Sequence, residues 1–346
     1  MPVVPLVADF RMSVLDLAPV SSGSTPAAAL RASIDLARAT EALGFHRYWV
    51  AEHHSMPGIA SSSPAVLIGY LAEATSTLRL GSGGVMLPNH APLVVAEQFG
   101  MLETMHPGRI DLGIGRAPGT DQVTAHALRR TADLSADDFP QELAELMAFL
   151  DGTFPEDHPY RRIKVVPGGR PAIWLLGSSG FSAQLAGVLG LPFAFAHHFS
   201  AQNTDAAMEL YRSSFQPSET LDHPYAMVTA AVVCADTSHE AERLSAPMGL
   251  SMLRLRKGEP GLLPTPEEAL AYPYTAQESG IVASITESHV IGDQETVRRG
   301  LAELRERTRA DELMISSNIG DPKARLRSFE LVAEAHPEIL RGAVAS

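Results

Sequence analysis

Residues able to do chemistry recur in this chain at the ends of short apolar runs. The run FHRYWVA closes on Glu52-His53-His54, LRLGS on Gly83-Gly84 and RIDLGIG on Arg116. AIWLLG closes on Ser178-Ser179 and LPFAFA on His197-His198. An imidazole beside a carboxylate can be a general base with its orienting partner, part of a metal site, or a structural hydrogen-bonded trio. The residue types leave all three open for Glu52, His53 and His54. Metal is the weakest of them, because adjacent histidines on a strand point to opposite faces and neither HExxH nor a Cys/His cluster occurs. Gly177-Ser178-Ser179-Gly180 opening a helix offers free N–H groups to an anion, or simply a cap. Arg116, on a neighbouring strand end, favours the anion, since a guanidinium grips phosphate through two donors. A Walker A stretch and a clean GxGxxG are both absent, which disfavours a nucleoside triphosphate or a Rossmann dinucleotide.

For those ends to meet, parallel strands must bring them to one face. The runs MSVLDL, RYWVA, LRLGS, RIDLGI, AIWLL, PFAFA, MVTAAVV and ELMIS alternate with helix-patterned segments, the first of which starts at Thr25-Pro26 and stops at Gly44. Eight such strands predict an α/β fold, a (β/α)8 TIM barrel over residues 1–346, with its chemistry at the C-terminal mouth. A doubly wound sheet would leave about two of the strands unexplained. The stretch from Lys257 to Gly292 is rich in Pro and Gly and breaks the alternation before the last strand, so it reads as an insertion or lid. Residues 121–137 read as polar and irregular, residues 152–170 as an excursion, and the helix after Ser238 as interrupted at Pro247. Trp49 and Trp174 lie within strands and read as core, and Met86-Leu87-Pro88 as an apolar wall.

The net charge of -13 and pI near 5.4 argue against a nucleic-acid partner, which needs clustered cations. Cys234 is the only cysteine, so no internal disulfide forms, in keeping with a reducing cytoplasm. No signal-peptide pattern and no apolar run of membrane length occur, so a cytoplasmic protein off the membrane is expected. The segments SPAVLIGYLAEAT and APLVVAEQFGMLETM carry more apolar residues than one buried stripe needs, and a homodimer contact is expected there.

At FHRYWVAEHH, LRLGSGGVMLPNHAPLVVAEQFGMLETMHPGRIDLGIGRAPG, PAIWLLGSSGFSAQLAGVLGLPFAFAHH and VIGDQETVRRGLAEL with ADELMIS, the chain resembles the bacterial luciferase-like flavin monooxygenases. The stretches run in family order over most of the chain. The resemblance implies FMN in the barrel mouth, or in some branches coenzyme F420, acting on a small organic substrate. With FMN it implies oxygenation by O2, with reduced flavin from a separate reductase; with F420, hydride transfer instead. It places His53 as the catalytic histidine with Glu52 beside it, and Gly83-Gly84 as a non-prolyl cis peptide behind the flavin ring. Arg116, Ser178, Ser179 and Ser182 match phosphate-binding positions, with Leu176 on the same strand, and His197 matches a position lining the ring. Light-emitting members carry a reactive cysteine just before the arginine where this chain has Gly115, so light emission is not expected. AEHHSMPGIASSSP, from Ala51 to Pro64, looks most like the uncharacterised oxidoreductases of the family.

Overall fold

The computed structural model describes residues 10–117, 119–129 and 138–337. Among the described residues ten parallel strands form one sheet: β1 (Arg11–Asp16), β2 (Arg47–Val50), β3 (Arg79–Ser82), β4 (Val85–Met86), β5 (Ile110–Gly115), β6 (Ala172–Gly177), β7 (Phe193–Phe195), β8 (Ala226–Cys234), β9 (Val290–Gly292) and β10 (Glu312–Ser316). The order β10-β1-β2-β3-β5-β6-β7-β8 closes through β8 onto β10, giving an eight-stranded TIM barrel with helices between its strands. β4 continues the line of β3 along β5, and β9 lies outside the ring against the end of β8, Val290 opposite Val232.

The period-two alternation of each strand sorts its residues into two environments. Met12, Val14, Tyr48, Val50, Leu313 and Ile315 face the helices in the large outer core. The alternate residues fill the barrel in layers. Ser13, Arg47, Asp111 and Glu312 form the bottom layer, and Leu15, Trp49, Trp174, Met227 and Met314 lie above it. In the bottom layer Arg47 donates to Asp111 at 2.7 Å and to Glu312 at 2.8 Å, and all three side chains are almost wholly buried. Arg79, Trp49, Tyr225 and Ser13 bond the same two carboxylates. Edge-to-face Trp49 and Trp174, with centroids 5.2 Å apart, make the floor above. β3 and β5 approach each other closely at glycines. A Cβ on Gly113 would stand 2.0 Å from the Ser82 carbonyl, so only glycine lets these backbones come together.

Several local readings change. β2 ends at Val50, so Glu52, His53 and His54 sit in a loop, and the opposite-face argument for the two histidines lapses. β7 ends at Phe195, and His197-His198 belong to a single helical turn, His197–Ser200. Pro247 is buried inside a continuous helix, Ser238–Arg256. The segment read as irregular contains a helix, Gln122–Arg129, while 130–137 lie outside the described residues. The stretch from Lys257 to Gly292 holds helices Pro266–Leu270 and Ala276–Thr286, each opened by a Thr/Glu capping box, and packs as a small cluster on Leu250 and Leu253. Among the described residues no helix is long and apolar enough to cross a membrane.

Candidate active site

At the C-terminal mouth a cavity of about 280 Å3 is bounded by Trp49 and Leu176 below, Gly83 on one side, and His53, Arg116 and His198 around the rim. Ser178, Ser179 and Ser182 line its other end, at the start of helix Gly180–Val188. The Ser179 side chain makes no capping bond to that helix, which leaves first-turn N–H groups and the helix dipole available to an anion. The Arg116 guanidinium stands 4.3 Å over the Phe181 ring. Gly83-Gly84 is a cis peptide, and it breaks the β3–β4 line beside the cavity. Gly84 itself stands just off the lining, packed on Gly113 and Leu176.

Glu52 does not orient His53. Its buried carboxylate accepts from His54 Nε2 and His90 Nε2, each at 2.8 Å, and from the Met86 N–H at 3.1 Å. Burial opposes ionisation here, but the His90 and His54 bonds outweigh it and hold the carboxyl below its usual range. The three side chains bring ligand-type atoms within 4.8 Å of one another, a grouping that His90, distant in sequence, hid. Glu52 thereby ties the loop carrying His53 to β4, the segment that follows the cis peptide.

His53 instead meets a backbone carbonyl, with Nδ1 3.3 Å from Gly119 O. A carbonyl only accepts, so Nδ1 carries the proton and Nε2 keeps its lone pair. Burial lowers the His53 pKa below 6.5, which keeps the ring neutral at neutral pH. His198 repeats the pattern, with Nδ1 3.1 Å from Thr229 O. It is His198 and not His197 that lines the cavity; His197 turns away and bonds Thr204 at 2.8 Å. Both residues sit on one helical turn, so strand alternation offers no guide to which one faces inward.

Burial pushes the pKa of His46, His197 and His198 down to about 4. The unfolded chain binds these protons near 6.5 and the folded chain only near 4, so protonation between those values favours unfolding. Resistance to urea is therefore expected to hold at neutral pH and above, and to fall as the pH drops from about 6.5 to 4. Urea midpoints at pH 7.5, 6 and 5 measure this, and a flat profile would refute the assignment.

A closed parallel barrel with an uncapped helix start and a neutral imidazole at one mouth-side cavity defines the class, a (β/α)8 barrel with its polar groups gathered at the C-terminal mouth. The chain belongs to the luciferase-like monooxygenase family, whose pattern matches residues 10–312, and it is accordingly an oxidoreductase. It is 50% identical to a luciferase-like monooxygenase of Escherichia coli (strain K12), over 95% of this chain and 97% of that one. It is 34% identical to the N-acetyl-S-alkylcysteine monooxygenase of Bacillus subtilis (strain 168), over 94% and 98%. The crystal structure of apo-MsnO8 superposes with a TM-score of 0.86 at 39% identity, covering 94% of this chain and 98% of that one. More distant barrels of the same fold include a monooxygenase in complex with FMN, at 20% identity, and an F420-dependent alcohol dehydrogenase, at 15%.

Proposed function

We propose that this chain is an FMN-dependent monooxygenase that uses reduced flavin and O2 to oxygenate a small organic substrate, without emitting light. One observation carries the proposal: His53, Gly83, Leu176, Arg116, Ser178, Ser179 and Ser182 all border one cavity. The donor set fits a flavin mononucleotide, with cationic and uncapped N–H donors at one end and an apolar, glycine-flattened floor at the other. Arg116 and the three serines would hold the phosphate, and Gly83 and Leu176 the ring. When bound, reduced FMN supplies the reaction with O2. His53 Nε2, neutral and with its tautomer fixed by Gly119, accepts or returns a proton at the substrate. Apolar walls exclude water from the reacting atoms.

The insertion over 257–292 serves as a lid on a single-domain barrel, and Pro260, Leu263, Ile285 and His289 reach toward the mouth. Val66, Tyr70, Val94, Met101 and Met105 leave an exposed apolar face on helices Pro64–Ala74 and Pro92–Met105, which suits a second copy of the chain in a homodimer. A separate reductase would supply the reduced flavin in the cytoplasm. The test is titration of FMN and of F420, followed by cofactor fluorescence, on wild type and Arg116→Ala. FMN is expected to bind, with affinity falling about tenfold or more on loss of the charge-assisted contacts. Binding of F420 alone would favour hydride transfer instead, and binding of neither would sink both readings. A complex that binds FMN but, once reduced, never turns over any substrate would be a flavin carrier.

A further inference from the structure

We infer that the substrate is an uncharged, mainly apolar molecule of roughly six to eight heavy atoms whose one polar group is anchored by Ser316. The inference rests on the monooxygenase reading of the adjoining cavity. A second cavity, of about 140 Å3, lies next to the first, and His53, His198, Phe199 and Leu17 border both. Its volume is close to that of an engineered apolar cavity of roughly 150 Å3 that holds benzene. Met56, Ile59, Met248, Met252, Leu263 and Ile285 supply most of its wall. Among the described residues no Asp, Glu, Lys or Arg lines it. An ion entering would lose its hydration and find no countercharge, so the chamber selects against charged molecules. The three methionines give it adaptable walls rather than a fixed mould.

Ser316 is what turns this void into a binding site. It is the last residue of β10, where Glu312, Met314 and Ser316 alternate into the barrel from floor to mouth. Ser316 is 2% exposed, and its hydroxyl has no hydrogen-bond partner among the described residues. A buried hydroxyl left without a partner is costly, and a ligand carbonyl or hydroxyl in the chamber would satisfy it. Asn318, two residues on, also borders the chamber. A molecule anchored here lies in the space that His53 and His198 share with the first cavity, so its reactive carbon or sulfur faces the oxidising side.

The probes are 2-hexanone and pentanoate, which match in chain length and shape and differ in charge. Their binding is measured by ligand-observed NMR on wild type, Ser316→Ala and Met252→Arg, with FMN titrated into the same samples. Wild type is expected to bind 2-hexanone at least tenfold more tightly than pentanoate. Ser316→Ala should weaken 2-hexanone about fivefold, the share of one neutral hydrogen bond, with FMN affinity unchanged. Met252→Arg should reverse the preference by providing a cation. Equal or tighter binding of pentanoate by wild type, or unchanged 2-hexanone binding in Ser316→Ala, would overturn the inference. Failure of FMN to bind while the 2-hexanone results hold would strike the cofactor reading and leave the chamber's selectivity standing.

Discussion

Replacing His53 with alanine is expected to lower turnover by about 10²–10⁴-fold while FMN binding stays within a factor of two or so of wild type. The two effects separate because of where the parts lie. His53 projects from the loop after β2, whereas Arg116 follows β5 and the serines open the helix after β6. The imidazole is prepared for proton transfer in two ways. Gly119 fixes which nitrogen is protonated, and burial keeps the ring unprotonated at neutral pH. Because the pKa is depressed, activity should be full at neutral pH and fall only as the pH drops below the ordinary histidine range. Substrate-dependent O2 uptake by the FMN-loaded protein, with dissociation constants from fluorescence quenching, provides both readings. Normal turnover in the alanine variant would remove His53 from the chemistry; lost flavin binding would make it a cofactor contact instead.

The largest effect on stability is expected at the bottom of the barrel. Arg47 is the cation shared by Glu312 and Asp111, and both carboxylates are fully buried. Its removal in Arg47→Leu leaves Glu312 with only neutral donors, Ser13 and Tyr225, while Asp111 keeps Arg79 and Trp49. Breaking a buried pair from one side typically costs about 3–5 kcal/mol, because the remaining charge has neither water nor a countercharge. Urea unfolding at neutral pH should show a loss of that order. The double variant Arg47→Leu/Glu312→Leu should recover a good part of it, since an apolar pair of similar volume carries no stranded charge. A single variant as stable as wild type would mean that the layer is solvated, contrary to its burial.

The barrel was legible because its eight strands are apolar runs bounded by turn residues and separated by helix-length segments, a pattern that few topologies satisfy. Thr25, Pro26 and Gly44 mark the first helix in the sequence, and the structure has Thr25 accepting from the Ala28 N–H and Gly44 at φ 80. The strand ends of the candidate site were equally readable, since parallel strands put them on one face. What failed was finer. Glu52 stands next to His53 in the chain, yet its carboxylate serves His54 and His90, because past the end of a strand neighbours in sequence need not share a direction. The resemblance puts His197 at the ring, whereas His198 lines the cavity, because β7 stops at Phe195 and the two histidines share a helical turn. Ser316 gave no sign at all in the sequence, because a serine within ELMIS matters only once its hydroxyl is found buried and unpartnered. Pro247 misled through its usual effect on helices, although here the helix runs through it.

The ionic layer of Arg47, Asp111 and Glu312 also decides how the vessel is used. With its floor sealed by paired charges and two indoles, the barrel is a blind-ended well, so arrivals and departures share a single doorway. On the proposed reading a product would back out past the same rim that admits the next substrate, and a cofactor bound there would set their order.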